Sequence, residues 1–282
     1  MASDEALTDP ELLHRIQALL LKMLADFDDT CRRLDIPYVV YGGTAIGAVR
    51  HHGFIPWDDD VDVLMTRADY ERFLKEAPDA LPEGYQIDNT RTRPDFPFMF
   101  TKLGLKGTLL VPEFGRDSKY RMPISLDDSR AARSMSRSTW LWGRLLYVQG
   151  TPTPYLIGIK GLRRVAIHTA TSAAHWAMRL LRVTPRTLQA RWDRAARRYE
   201  DTPTRRMADF SMRDPWNWAV TTDDLYPALE VPFEDITVKL ARNYDKLLRR
   251  SYGDYMQLPP EEQRRNHKPC VIDFGPYETT GS

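Results

Sequence analysis

Residues 42–63, GGTAIGAVRHHGFIPWDDDVDV, decide the fold of this chain, because they join a glycine pair to a dense group of acids. Four carboxylates fall within positions 58–62. Like charges at this spacing repel one another and raise the pKa of at least one member. A divalent cation held between the carboxylates removes that cost, so the pattern predicts a metal site.

The apolar run VDVLM, residues 61–65, predicts a buried strand that continues from the acids. Side chains alternate along a strand, so Asp58, Asp60 and Asp62 are predicted to share one face, with Asp59 on the other. Three carboxylates on one face predict a site for one or two ions of Mg²⁺ or Mn²⁺. Such ions stabilise the attacking and leaving oxygens of a phosphoryl transfer.

Two other interpretations of the acids are weaker. A solvated acidic loop does not account for the apolar residues that alternate with the carboxylates and continue into a strand. An EF-hand loop needs Gly at its sixth position and Glu at its twelfth, where this chain has Val63 and Asp69.

The glycine pair predicts an anion site upstream of the acids. Gly42 and Gly43 end the predicted strand IPYVVYGG and open a short predicted helix. The N–H groups of glycines at a helix N-terminus can hold a phosphate, and Thr44 adds a hydroxyl. Arg50, at the far end of the short helix, adds a positive charge. A phosphate site followed by carboxylates on the next strand is typical of a nucleotidyltransferase-type fold.

The rest of the chain predicts an α+β class, a nucleotidyltransferase-like mixed sheet flanked by helices, with a mostly helical second half. Apolar residues recur every three or four positions over residues 9–35, and a second helix follows Thr66 as its N-cap. Short apolar runs between residues 85 and 126 predict antiparallel strands. Helices are predicted over 135–200 and near 237–250.

Two regions are predicted from this change of pattern. Residues 1–130 are expected to form the nucleotidyltransferase-like core with the metal and phosphate site. Residues 131–282 are expected to form a helical, aromatic-rich region that completes the active site, the two together making one compact unit.

Composition limits the class of partner and the compartment. The net charge of +1, with 28% charged residues, argues against a nucleic-acid binder. Cys31 and Cys270 have no metal-ligand spacing, which favours a reduced, cytoplasmic protein. The acidic N-terminus lacks the apolar core of a signal peptide, and no apolar run reaches transmembrane length. We expect a cytoplasmic location, with contact at the inner face of the membrane left open.

Two features of the second half carry open interpretations. Residues 154–183 mix apolar with basic residues. They either lie on an anionic membrane, near a lipid-linked glycan, or pack on the core with arginines outward. Trp216 and Trp218, in the turn-rich DPWNW, are predicted as a wall for a sugar or choline.

Two long segments then resemble a known family. Residues 41–74, YGGTAIGAVRHHGFIPWDDDVDVLMTRADYERFL, resemble the signature of the LicD phosphocholine-transferase family, relatives of fukutin and fukutin-related protein. Residues 244–269, YDKLLRRSYGDYMQLPPEEQRRNHKP, resemble its C-terminal signature, while the middle of the chain matches loosely.

The resemblance implies an enzyme of the LicD type. Such an enzyme transfers phosphocholine, or ribitol phosphate in distant members, from a CDP-activated alcohol to a hydroxyl of a cell-surface glycan. CDP-choline is the expected donor, a lipopolysaccharide or teichoic-acid precursor the acceptor, and CMP the leaving group. The implied metal-binding and catalytic residues are Asp58, Asp60 and Asp62, and the implied donor-phosphate residues are Gly42, Gly43, Thr44, Arg50 and Lys102.

One departure from the family pattern leaves the base unassigned. Many members carry an aspartate where this chain has Met122 or Pro123. Either Asp127 or Asp128 compensates, or Asp58 is the third ligand. An aspartate is the first candidate for the base, with the His51–His52 pair as the alternative.

The C-terminal part offers further candidates near the site. Glu234 and Asp235 match a family element and either position the cation or acceptor or cap the following helix. His267 and Arg265 lie in the C-terminal signature and are candidates to close over the site.

Two other functions remain compatible with the same residues. One is a nucleotidyltransferase proper, which moves a nucleoside monophosphate to a small acceptor. The other is an inactive relative that binds a glycan or a membrane. The mass of the product distinguishes the first, and metal-dependent nucleotide binding distinguishes the second.

Overall fold

The protein was analysed as a computed structural model that describes residues 9–116, 118, 120–131, 137–150, 161–197, 206–208, 216–267 and 269–278. Its helices are α1 (Pro10–Arg33), α2 (Gly42–Arg50), α3 (Arg67–Glu76), α4 (Arg137–Gly150), α5 (Gly161–Leu180), α6 (Pro185–Arg197), α7 (Thr222–Leu225) and α8 (Tyr244–Tyr252). Its strands are β1 (Val39–Val40), β2 (Asp62–Thr66), β3 (Tyr85–Asp88), β4 (Thr101–Leu105), β5 (Leu109–Pro112), β6 (Ser125–Ala131), β7 (Arg206–Ala208), β8 (Ala219–Thr221), β9 (Leu229–Phe233), β10 (Ile236–Leu240) and β11 (Pro269–Asp273).

Seven strands form the main sheet, in the order β3-β4-β6-β2-β1-β10-β9. β2 runs parallel to β6 and β1 runs parallel to β10, while the other neighbours are antiparallel. The α+β class with a mixed sheet is therefore confirmed. Because β9 and β10 join this sheet from the second half, both halves contribute to it. The division at residue 130 stays a prediction.

α1 covers the sheet with the apolar stripe that the sequence predicted. Leu20, Met23, Leu24 and Phe27 are fully buried, since their spacing of three and four places them on one face. The side chain of Asp9 caps the helix by accepting from the backbone N–H of Glu11 at 3.0 Å and of Leu12.

The ends of three central strands meet at one edge of the sheet. β1 stops at Val40, and α2 begins after Tyr41, whose N–H donates to the carbonyl of Asp62 at 2.9 Å. β2 begins at Asp62, beside Asp127 in the parallel register with β6. Gly42, Asp62 and Asp127 are thus brought together although they are far apart in sequence.

Two predictions of secondary structure need comment. Thr66 is the N-cap of α3, as predicted, and its hydroxyl accepts from the N–H of Asp69. The helix predicted near 237–250 is wrong in its first half, because residues 236–240 form β10 and only α8 is helical. The alternation ITVKL favours a strand there, with Val238 and Leu240 buried.

Within the described residues, no helix combines the length and the apolar character needed to cross a bilayer.

Candidate active site

The glycine pair makes room for two carboxylates. Gly42 has a φ of 55°, in the left-handed region, and a Cβ added there would lie 2.8 Å from Oδ2 of Asp62. A Cβ on Gly43 would lie 2.7 Å from Oδ2 of Asp58. Side chains at these positions would therefore displace the acids. The start of α2 faces the carboxylates directly, and the positive end of a helix favours negative charge.

Thr44 has a structural contact within the same turn. Its side chain is buried, and its hydroxyl oxygen accepts from the backbone N–H of Asp62 at 2.9 Å. The hydroxyl thus fixes the start of β2 against α2, and so fixes the backbone that carries the acids.

Burial and mutual repulsion dominate the electrostatics of the acids. Burial raises the pKa of Asp58 well above its usual range, and the charge of Asp60 raises it further. Burial likewise raises the pKa of Asp62, with additional increases from the charges of Asp60 and Asp127. Such shifts indicate carboxylates that have too few cations around them.

Asp127 is an acid of the cluster and lies close in sequence to Met122 and Pro123, where many family members carry an aspartate. It lies beside Asp62 on the neighbouring strand, and Nζ of Lys102 lies 2.5 Å from its Oδ1. Burial raises the pKa of Asp127, and the ammonium of Lys102 only partly offsets the increase. Of the alternatives left open by the sequence, Asp127 lies in the cluster. The side chain of Asp128 is outside the described residues.

The side chain of Lys102 lies beside the acids and is not exposed on the protein surface. Its side chain is 11% exposed, and Nζ also donates to the hydroxyl of Ser125 at 3.2 Å. The antiparallel register between β4 and β6 places Lys102 opposite Asp127.

Asp59 departs from the predicted alternation. It is buried, and it accepts from the backbone N–H of His267 at 3.1 Å, while Nδ1 of that histidine lies 2.8 Å from its Oδ1. The same Nδ1 is 3.6 Å from Oδ2 of Asp60, so Asp59 lies next to the cluster. The alternation fails because β2 begins only at Asp62 and the preceding acids are in irregular structure.

His267 adds the second cation of the site. Burial lowers its pKa, but the charges of Asp60, Asp59 and Asp58 and the hydrogen bond to Asp59 outweigh burial and raise the pKa to about 10. The imidazolium is therefore charged at neutral pH. The sequence had placed His267 among the residues that close over the site, which fits this contact.

A cavity of about 450 Å³ opens beside the acids. Asp59, Asp60, Asp62, Asp127, Lys102 and His267 form its charged side. Its apolar side consists of aromatic, proline and methionine side chains: Pro97, Phe98, Met99, Phe100, Met122, Pro123 and Tyr147. A cavity with convergent polar groups and an apolar wall is the usual form of a small-molecule site.

The aromatic part of the wall already faces a positive charge. The rings of Phe98 and Phe100 stack at 4.9 Å between centroids. Nζ of Lys102 lies 5.7 Å from the first centroid and 5.3 Å from the second. Phe98, Phe100 and Lys102 alternate in FMFTK, a signal in the sequence that the prediction did not use. The predicted wall of Trp216 and Trp218 does not line this cavity.

Arg50 and the Glu234 region contact other parts of the molecule. Nη1 of Arg50 donates to the carbonyl of Tyr255 at 2.5 Å, so the guanidinium ties α2 to the segment after α8. Glu234 accepts from the N–H of Phe54 at 2.9 Å, which fixes the turn between α2 and the acids. Both residues support the site from outside the cavity.

The described residues fit a divalent cation that takes some of its ligands from the protein and the others from a bound substrate and from water. Five aspartates, at positions 58, 59, 60, 62 and 127, surround the site with Lys102 and His267, and oxygen ligands are those that Mg²⁺ prefers. In the described part of the chain, no three acidic, histidine or cysteine side chains form a ready-made metal site. Mg²⁺ typically takes one or two carboxylates and completes its shell with phosphates and waters.

Comparison with known proteins points to one family. Residues 35–97 match the family model described as LicD/FKTN/FKRP, nucleotidyltransferase domain. Over 277 residues, the chain is 27% identical to the lipopolysaccharide cholinephosphotransferase LicD of Haemophilus influenzae, covering 90% of this chain and 95% of that protein. The chain is a relative of LicD. The resemblance seen in the sequence is thus confirmed.

Two further matches are shorter. An uncharacterized protein of Rickettsia typhi is 33% identical over 72 residues, which are 26% of this chain and 23% of that protein. One of Rickettsia prowazekii is 29% identical over 89 residues, 32% of this chain and 34% of that protein. The matched domain contains Gly42, Gly43 and the acids from Asp58 to Asp62.

Proposed function

We propose that this LicD relative is a metal-dependent phosphotransferase that moves phosphocholine from CDP-choline to a hydroxyl of lipopolysaccharide or a related glycan. The observation that carries the proposal is one cavity that joins a cluster of half-buried carboxylates to an aromatic wall. The name of the Haemophilus influenzae relative supports the phosphocholine group and the lipopolysaccharide acceptor.

The aromatic wall supports choline as the transferred alcohol. A quaternary ammonium group has no N–H, so it cannot donate hydrogen bonds to a carboxylate as an amine does. It binds over the faces of aromatic rings instead. Phe98, Phe100 and Tyr147 provide such faces at the edge of the acid cluster. A phosphocholine unit has an anionic phosphate end and a cationic ammonium end. Lys102 lies beside the aromatic wall, where it can bind the phosphate end.

We assign Mg²⁺ or Mn²⁺ to the carboxylates of Asp58, Asp60 and Asp62, and add Asp127 to the set. The bound ion supplies positive charge to the phosphate oxygens of the donor. Lys102 donates to a phosphate oxygen in the same place, because its ammonium already lies beside Asp127. His267 holds Asp59 and partly neutralises Asp60.

The transfer balances in atoms and protons. The acceptor oxygen forms a bond to the phosphorus of phosphocholine, and the bond from that phosphorus to CMP breaks. The hydroxyl proton passes to an aspartate of the cluster and then to solvent. An aspartate of the cluster is the candidate base, and a bound cation would lower the pKa of any aspartate that it contacts.

A panel of CDP-alcohols tests the proposal. The full chain is incubated with lipopolysaccharide and CDP-choline, CDP-ethanolamine or CDP-ribitol, and release of CMP is measured with Mg²⁺ and with EDTA. We expect the fastest release from CDP-choline and none with EDTA. Release that EDTA leaves unchanged would refute the metal assignment. An acceptor that gains the mass of a nucleotide would identify a nucleotidyltransferase instead.

A variant of the wall tests choline recognition separately. Phe100→Leu keeps an apolar side chain but removes the ring face, so we expect a rise of about tenfold in KM for CDP-choline. The KM for CDP-ethanolamine should change less. Equal changes for both donors would mean that the wall does not recognise the quaternary ammonium.

A further inference from the structure

α5 has few contacts with the rest of the protein. Of its twenty residues only His175 is buried, and Nδ1 of His175 lies 3.0 Å from the carbonyl oxygen of Val148 on α4. The half-buried residues Ile167, Ala174 and Met178 lie on the same side of the helix as His175. Among the described residues, α5 therefore packs through this side, mainly against α4.

The opposite side of α5 is apolar and exposed. Leu162, Val165, Trp176 and Leu180 are 89%, 61%, 62% and 85% exposed. At about 100° per residue, these four positions fall within an arc of about 60° on the helix. We call them the outer face of α5. Large apolar side chains gathered on one exposed face mark an interaction surface.

The charge around the outer face has one sign. Residues 129–192 contain ten arginines and one lysine but no aspartate or glutamate. Arg163 adjoins Leu162 in the first turn of α5, and the guanidinium of Arg179 lies 5.7 Å from the ring centroid of Trp176. An acid-free segment with arginines and a tryptophan beside exposed leucines is complementary to an anionic, partly apolar partner.

We propose that the outer face of α5 docks on the surface of an anionic lipid bilayer. The apolar side chains enter the boundary between headgroups and acyl chains, and the arginines bind the headgroup phosphates. Arginine can extend to the headgroups while its apolar stem lies along the membrane surface. Of residues 154–183, those before Gly161 lie outside the described residues, and the solvent-exposed apolar residues of α5 favour the membrane interpretation over packing on the core.

The position of α5 connects this surface to the cavity. α4 lines the cavity with Gly143, Arg144 and Tyr147, and α5 packs against α4. The bilayer would then lie one helix away from the cavity, where a lipid-linked acceptor could reach it. The inference goes beyond the proposed reaction and does not depend on it, since binding is measured without substrate.

Flotation with vesicles tests the docking surface. The full chain is mixed with vesicles of phosphatidylcholine alone or with about one third phosphatidylglycerol, at low and at high salt. We expect flotation with the anionic vesicles and weaker flotation at high salt, because screening reduces the attraction of the arginines. Leu162→Gln with Leu180→Gln should lower the partition coefficient by about tenfold.

Matched variants separate the outer face of α5 from general stickiness. Leu229→Gln removes a leucine that is 40% exposed on β9, and it should bind vesicles like the wild type. Arg163→Gln with Arg179→Gln should lose most of the preference for anionic vesicles. Circular dichroism should show the same unfolding for every variant, since the changed residues are exposed.

Three results would overturn the proposal. One is a wild type that does not float with vesicles of any composition, and another is leucine variants that float as well as the wild type. A dimer that light scattering detects and that the leucine variants abolish, without vesicle binding, would assign the face to a second copy of the chain.

Discussion

Two groups of charged side chains in this molecule are built in opposite ways. Around Glu71, three arginines face two acids, and Nε of Arg67 donates to Oε1 of Glu71 at 2.8 Å. In the active-site cluster, five aspartates face Lys102 and His267. In the first group, which we call the matched group, each acid is paired with arginines within the protein, and the second has an excess of negative charge.

The pKa values follow this difference. Burial raises the pKa of Glu71, but Arg91 and Arg67 outweigh it and lower the pKa to about 2. The pKa of Asp58 and of Asp62 is raised, because burial and neighbouring acids act in the same direction. The Glu71 group therefore contributes to stability, whereas the acid cluster by itself costs stability.

The largest expected effect is on activity. Asp62→Asn keeps the shape of the side chain but removes one charge of the proposed ion site, so we expect release of CMP to fall about a thousandfold. Asp29→Asn, at a carboxylate that is 69% exposed and paired with Arg33, should leave activity unchanged. If Asp62→Asn retained wild-type activity, Asp62 would have no part in the chemistry.

The next effect is on stability, in the matched group. Glu71→Gln leaves Arg67, whose side chain is 8% exposed, without its full charge partner. We expect a loss of about 2 kcal/mol in the free energy of unfolding, less than for a fully buried pair because Glu71 is 30% exposed. Urea unfolding measures it, and Glu76→Gln, in an exposed pair with Arg72, should change stability by less than about 0.5 kcal/mol.

The pH dependence of this loss has a definite sign. The folded pKa of Glu71 is below its unfolded value, so its contribution is fully present above about pH 5 and is lost as the pH falls through about 2. The difference between wild type and Glu71→Gln should shrink in the same range. A constant difference would mean that the effect is steric.

A smaller effect tests the crowding in the acid cluster. Gly43→Ala adds a methyl group where Oδ2 of Asp58 would lie 2.7 Å away, so the carboxylate must move. We expect about a tenfold loss in kcat/KM, because displaced ligands weaken the proposed site. Stability should not fall, since alanine is favoured over glycine in a helix by up to about 1 kcal/mol. Unchanged kinetics would show that Asp58 is not needed at its present position.

The smallest effect is a gain in stability, whereas most mutations inside a protein reduce the free energy of unfolding. Asp58→Asn removes an unmatched charge, so in EDTA at pH 7 we expect a gain of about 1 kcal/mol in the free energy of unfolding. The pKa of Asp58 is higher in the folded than in the unfolded protein. Wild-type stability therefore falls as the pH rises above the unfolded pKa of an aspartate, about 4. The gain should therefore shrink toward pH 4. Destabilisation by Asp58→Asn in EDTA would contradict this account.

Local patterns in the sequence were enough to predict the parts of the fold that depend on neighbours in the chain. The apolar stripe of α1, the N-cap at Thr66 and the order of glycines, helix and acids all follow from local spacing. The helix predicted near 237–250 was wrong in its first half, because the prediction did not use the alternation in ITVKL and because β10 pairs with β1, a distant segment of the chain.

The acids at positions 58–62 were predicted from local spacing, whereas Lys102, Asp127 and His267 were named through the family resemblance. Strand register brings Asp127 and Lys102 together, and His267 reaches Asp59 from a segment 208 residues away in sequence. The wall predicted at Trp216 and Trp218 does not line the cavity beside the acids, because a tryptophan-rich turn is visible in sequence whereas the lining of a cavity depends on tertiary packing. A role of these tryptophans in binding stays a prediction.

The pairing of Val40 with Leu240 has a consequence for how the chain folds. β1 has only two residues, and its partner on one side is separated from it by most of the sequence. Contacts of such long range require closure of a large loop before they stabilise anything, and they slow folding. A fragment that ends at residue 130 would leave one edge of β1 without its native strand, and we expect that fragment to aggregate.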